Sequence, residues 1–221
     1  MHNYSKIIDL SQPLYHNCPE WPTNPLTQIS KDNFIVRDGY NAEMMTIHTH
    51  TGTHIDVPYH FLEQGKTIEQ MPIEKFFGKA AFLDMRHVQE DSPIGIKDLE
   101  PLAEQIKGAQ IVVLNTGWGQ KRGLNEQYCF KWPYLDGPGA QFLLDQGIRG
   151  VGCDTLSLGG WGTAEKARPC HEILLGAEAV IIEALLIPEE VMDGKQRMMS
   201  FFPLLLRGCS GSPVRAVAFD E

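Results

Sequence analysis

The chain has 221 residues, 43% of them hydrophobic and 21% charged, enough to bury one sizeable core and too few for two comfortable ones. A single domain spanning 1–221 is therefore expected. A net charge of −9 argues against a nucleic-acid surface, which needs Lys and Arg clustered over phosphates.

No stretch is long and apolar enough for a bilayer span. Met1 to Leu10 lacks the basic and apolar runs of a secretion signal. Cys18, Cys129, Cys153, Cys170 and Cys209 are odd in number, scattered and without a Cys-x-x-Cys pair. The expectation is a cytoplasmic protein with reduced thiols and no membrane partner.

In chain order, Pro13, Pro19, Pro22 and Pro25 keep residues 5–30 extended with turns. A strand is expected over 42–49, running into a histidine-rich segment, and another over 80–85. Ile96, Leu99, Leu102, Ala103 and Ile106 recur at helical spacing and predict a helix over 96–107, stopped by Gly108. The apolar run 110–115 reads as a buried strand. A helix over 138–146, opened by Pro138 and closed by Gly147, leads to a strand over 148–153. A short helix at 171–175, a strand over 179–186 and a last strand over 214–219 complete the chain. Strand-rich sequence followed by alternating helices and strands predicts an α/β fold with a mixed sheet.

Four of the eight histidines fall between His48 and His60, interleaved with Asp56. Imidazole with carboxylate is the donor set of zinc or manganese. On extended backbone His54 and Asp56 share a face, with His60 further along it. Thr51-Gly52-Thr53 permits a tight turn that brings His50 back toward His54. Pro58 is expected to hold the chain away from helix and stiffen it between Asp56 and His60. His48 shares strand parity with His50 but is read as exposed or outside the ligand set. Glu183, in the run Ala179-Val-Ile-Ile-Glu183-Ala-Leu, is costly to bury unpaired, and a metal would pair it. Cys170, beside His171, is read as a buried or bystander thiol, because nothing near it in sequence supplies an activating base.

The pattern His-x-Gly-Thr-His-x-Asp-x-Pro-x-His, from His50 to His60, resembles the hallmark of the cyclase family of metal-dependent hydrolases. That family includes bacterial kynurenine formamidases and isatin hydrolases. The likeness extends to Asp9-Leu-Ser-Gln-Pro-Leu14 with Trp21-Pro22, to Gly152-Cys-Asp154-Thr155, to His171 with Glu183, and to Gly211-Ser-Pro213-Val-Arg215. It implies a swivelling β/β/α arrangement. His50, His54 and Asp56 would hold a first metal, and Asp56 would bridge to a second completed by His171 and Glu183. His60 would donate and accept protons, and Trp21 would contact substrate. The resemblance also implies one or two zinc ions, with manganese as the alternative, a homodimer, and a small amide substrate. Arylformamides are the first expectation and isatin-like cyclic amides the alternative.

Other readings compete. His54, Asp56 and His171 fit the two-histidine, one-carboxylate pattern of nonhaem iron oxygenases, but this leaves His50 and His60 unused. Gly208-Cys-Ser210-Gly-Ser212 falls short of a serine-hydrolase elbow. Gly159-Gly160-Trp161-Gly162 lacks the endings of a phosphate loop and reads as a flexible turn, where Trp161 could line a pocket. A non-catalytic metal-binding relative is the remaining alternative, and turnover separates it from an enzyme.

Overall fold

The computed structural model describes residues 4–220. Nine strands form one mixed sheet: β1 (Lys6–Asp9), β2 (His54–Asp56), β3 (Phe77–Asp84), β4 (Ile111–Asn115), β5 (Gly150–Cys153), β6 (Val180–Glu183), β7 (Arg197–Ser200), β8 (Gly211–Pro213) and β9 (Val217–Asp220). Their order across the sheet is β1-β9-β7-β3-β4-β5-β6-β2-β8. The central four, β3 to β6, run parallel, and the outer strands are antiparallel to their neighbours.

The apolar run of β4 follows from burial on both faces. Val112 and Leu114 point into one core, while Ile111 and Val113 point into another. β3 divides the same way, with Ala81 and Leu83 on one side and Ala80 and Phe82 on the other. The first core lies under the helices α1 (Gly137–Asp145) and α2 (Ala164–Gly176), which contribute Leu143 and Leu174. The second lies inside the sheet itself. β8 and β9 are separated by only Val214, Arg215 and Ala216 yet stand toward opposite ends of the strand order. Three residues of extended chain reach roughly 10 Å, so the sheet must curl until its edges approach. The shared core of Ile8 and Ala218 with Ile55 and Val57 is the result.

The mixed α/β architecture agrees with the sequence expectation, with local departures. The helix expected over 96–107 is broken into Ile96–Leu99, a 3-10 turn at Glu100–Leu102, and Ala103–Ile106. Pro101 is the cause, since it lacks a backbone donor and crowds the preceding turn. The short helix at 171–175 is the end of the longer α2, which carries Pro169 inside it. The expected strand over 42–49 is shorter, Ala42–Thr46, and pairs only with Gln28–Asn33 in a separate ribbon. The expected last strand over 214–219 is β9, which begins later at Val217, and β8 is an additional short strand before it.

Candidate metal centre

The site is set by strand register. β2 pairs antiparallel with β6, so His54 lies directly opposite Glu183. Asp56, two residues on, shares the His54 face. All three side chains are buried. Gly52, at φ +60°, makes the turn that returns His50. The left-handed backbone there favours glycine, and a Cβ would also stand 2.4 Å from Leu14 Cδ2, which would have to swing aside. His50 Nδ1 then lies 2.6 Å from Asp56 Oδ1.

Pro58 does not keep its segment out of helix. It opens a single 3-10 turn, Pro58–His60, because the first helical position is where its missing donor and fixed φ cost nothing. That turn carries His60 back over the centre. Its Nε2 stands 4.0 Å from Asp56 Oδ2 and its ring stacks on His50 with centroids 3.9 Å apart. α2 supplies His171, whose Nε2 is 3.2 Å from Glu183 Oε1 and 3.7 Å from Asp56 Oδ2.

All six residues are therefore brought together, and their proximity cuts across the grouping the resemblance implied. The donor triples that close within 4.8 Å are His54, Asp56 and Glu183, and His50, Asp56 and His60. Asp56 is common to both.

Three imidazoles are each tied at one nitrogen and present the other. His54 Nδ1 contacts the Gly52 carbonyl at 2.8 Å, His171 Nδ1 the Ala167 carbonyl at 2.8 Å, and His50 Nε2 the Ser210 hydroxyl at 2.8 Å. The carbonyl partners hold the Nδ1 proton of His54 and His171, so each Nε2 faces the centre and can bind a metal once its own proton is released. Glu183 Oε1 accepts from Leu158 N–H at 2.6 Å and from the Ser157 hydroxyl at 3.1 Å. His54 Nε2 and Asp56 Oδ2, both fully buried, have no hydrogen-bond partner. His54 Nε2 faces Glu183 Oε2 at 3.3 Å and Asp56 Oδ1 at 3.4 Å, so this corner of the site calls for positive charge, from protonated imidazole in the metal-free fold or from a cation in its place. The donor set thus fits a divalent metal.

The electrostatics agree. Burial pushes the His54 imidazole down, but Asp56 and Glu183 carry it up to about 10. His171 is likewise raised well above its usual range, with Cys170 and Glu183 outweighing burial. Burial would raise both carboxylates, yet His60 and His50 hold Asp56 well below the usual range, and His171 and His54 bring Glu183 to about 2. Two buried anions at one point demand positive charge. His60 goes the other way, down to about 4, through burial and the neighbouring His50 and His171, which outweigh the attraction of Asp56.

The centre forms the floor of a cleft of about 300 Å³ whose apolar lining includes Trp21, Phe61 and Leu156. Trp21 meets Trp132 edge-on at 5.7 Å and Trp161 at 4.9 Å. His48 lines the cleft and lies outside both donor triples. Cys170 is buried, 3.5 Å from His171 Nδ1, and that nitrogen is already engaged with Ala167. Ser157, Leu158 and Ser210 were not anticipated from sequence. They come from segments remote from the motif, and Ser210 serves as a hydrogen-bond partner of His50.

A curled mixed sheet that gathers histidine and carboxylate donors beneath an aromatic cleft defines an α/β protein with a candidate metal site. The family can be stated directly: the chain belongs to the Cyclase family, whose model matches residues 8–159. It is 32% identical over 214 residues to a kynurenine formamidase of Bacillus cereus, covering 96% of this chain and 97% of that one. The kynurenine formamidase of Geobacillus thermodenitrificans is 31% identical over 211 residues, covering 95% of both chains. Among solved structures, a potential metal-dependent hydrolase with cyclase activity superposes with a TM-score of 0.77 at 28% identity, covering 98% of each chain. Isatin hydrolase A from Labrenzia aggregata superposes at 0.85 with 20% identity, covering 97% of this chain and 93% of that one; at that identity the likeness is one of fold.

Proposed function

We propose that the chain is a metal-dependent amide hydrolase of one domain, acting on an arylformamide such as N-formylkynurenine. The observation that carries the reading is the pair of orphaned buried atoms, His54 Nε2 and Asp56 Oδ2, at the floor of an aromatic cleft. Similarity to kynurenine formamidases over almost the whole chain supports the substrate class. His50, His54, Asp56, His171 and Glu183 would hold one or two zinc ions, with manganese as the alternative. A bound divalent ion supplies Lewis acidity and lowers the pKa of water from about 15.7 toward about 7.

The chain's own groups do the rest. Trp21 offers an aromatic surface against which an aryl group stacks, turning its amide carbon toward the donors, while Phe61, stacked on His171, adds to the apolar lining. His60 has a side chain 30% exposed; burial and the neighbouring imidazoles lower its pKa to about 4, which leaves it neutral at pH 7 with a free ring nitrogen, a weak base that passes a proton on readily. It takes one from the attacking water and delivers it to the nitrogen as the C–N bond breaks, giving formate and an aryl amine.

We place the enzyme in the cytoplasm, because its cysteines are free and mostly buried and, among the described residues, no helix is long and apolar enough to cross a membrane. A homodimer is favoured by the exposed apolar residues of the 28–46 ribbon, including Ile35, Val36, Met44 and Met45.

The test is elemental analysis of purified protein paired with turnover of N-formylkynurenine with added zinc or manganese. Zinc with turnover supports the formamidase reading. Manganese with turnover of isatin alone moves the substrate to cyclic amides. Neither metal nor activity after adding both ions refutes the enzyme reading.

A further inference from the structure

One wall of the cleft runs from Trp21 to Asn24, a segment with neither helix nor strand. Irregular chain keeps one position only where its polar groups have fixed partners. Here the fixed point is Glu20, only 3% exposed. Its Oε1 accepts the Thr27 backbone N–H at 2.6 Å and also the Thr27 hydroxyl, and its Oε2 accepts the Thr51 hydroxyl at 3.0 Å. Thr27 and Thr51 are fully buried, and the buried Cys18 thiol extends the chain of contacts to Thr27.

These donors are neutral, and a carboxylate buried among neutral donors is a poor source of net stability compared with an apolar side chain of the same size. What it supplies is geometry. Glu20 precedes Trp21, and Thr51 follows His50, so one carboxylate ties the aromatic wall to the turn that carries the donor histidines. We propose that Glu20 is a positioning residue, a buried clamp that sets the distance between the Trp21 wall and the metal centre and thereby governs binding of the aryl group. The substrate part of this inference rests on the amide-hydrolase reading above; the clamp itself does not.

Three variants and two readouts test it. By hydrogen-exchange mass spectrometry, Glu20→Ala should speed exchange in a peptide covering 18–27 about tenfold, while peptides covering β5 and β6 keep wild-type protection. With zinc-loaded enzyme and N-phenylformamide, its KM should rise about tenfold, the loss expected of one charge-assisted hydrogen bond. Its kcat and zinc content should stay within about threefold. N-methylformamide, too small to need the wall, should be turned over as by wild type. Glu20→Gln keeps the shape and an acceptor oxygen, and should recover most of both effects. If Glu20→Ala does not fold, Thr51→Val cuts the link to the centre alone, and an increase of about threefold in exchange and KM is expected.

Unchanged exchange over 18–27 in Glu20→Ala or Thr51→Val overturns the clamp, as does loosening spread equally over the sheet. A fall in kcat with KM unchanged overturns the link to aryl binding. Should wild-type protein turn over neither amide, the amide-hydrolase reading has failed, and the exchange data still decide the clamp.

Discussion

Gly211 should be intolerant of a single methyl group, and the structure says by how much. It lies on β8 opposite Asp56. A Cβ there would stand 2.5 Å from His50 Cε1 and 2.7 Å from the Ile55 carbonyl oxygen, where ordinary contact begins at 3.4 Å. The Ile55 carbonyl belongs to a strand paired on both sides and cannot give. β8 must therefore edge away from Ile55, and the His50 ring must also move, by up to about 0.9 Å, the shortfall from ordinary contact. Its contacts to Asp56 at 2.6 Å and Ser210 at 2.8 Å then stretch to the limit of hydrogen bonding. Overpacking of this kind costs about 1–3 kcal/mol of stability, and a displacement near 1 Å costs about 100-fold in rate. Gly211→Ala should therefore fold, with a modestly lower Tm, and lose about 100-fold in kcat/KM together with part of its metal. The assays are thermal unfolding, metal content and turnover of N-formylkynurenine. Activity within threefold of wild type at full metal content would refute the reasoning, because it would mean that the position of His50 is not what Gly211 protects.

Two further perturbations separate roles. His54→Ala should lose metal and activity together, whereas His60→Ala should keep metal and lose about 10²–10⁴-fold in kcat, the usual share of a general acid–base group; metal loss in His60→Ala would instead make it a ligand, as its place beside His50 and Asp56 permits. Away from the site, the nearly buried Arg197 holds the Asp193 carboxyl well below its ordinary 3.8. A lowered carboxyl pKa gives stability that is present above about 3.8 and lost as pH falls below it. Asp193→Asn should cost about 1 kcal/mol at pH 7, after allowing for the exposure of the carboxylate. It should also flatten the acid limb of a Tm-against-pH curve; an unchanged limb counts against the pairing.

The centre was legible in sequence wherever chemistry and spacing coincide. His50, Asp56 and His60 share one short segment, and Glu183 stands out as a charge in an apolar run. Less visible was how the segments meet. The pairing of His54 with Glu183 depends on strand register, which the hydrophobic pattern fixes only once the neighbouring strand is known. Ser210 and Gly211 touch His50 from far along the chain, Ser157 bonds Glu183 from a separate loop, and none of the three carries a local signal of that role. Pro58 was misread because the same ring that bars a helix interior favours a helical first turn. The start of α2 was hidden because Ala164 to Arg168 lacks an apolar stripe and Pro169 looks like a boundary. β7 was missed for a related reason, since Arg197 interrupts the alternation expected of a strand.

Those same buried charges set a final test, the response to metal removal. Asp56 and Glu183 are paired in the metal-free fold by imidazoles, with His54 raised to about 10 and His171 well above its usual range. Both are then protonated at neutral pH and must release their protons for each Nε2 to bind a metal. Metal affinity should thus fall as pH falls, and binding near pH 7 should release protons, measurable by calorimetry in two buffers of different ionisation enthalpy. Zinc at a thousand times its Kd stabilises by about 4 kcal/mol. At about 2–4 °C per kcal/mol for a chain of this size, a chelator should lower the Tm by about 8–16 °C at pH 8. The gap should narrow toward pH 6, where protons take the place of the ion. A Tm indifferent to chelator at both pH values would show that the carboxylates are satisfied without a metal, and the centre would lose its strongest physical support.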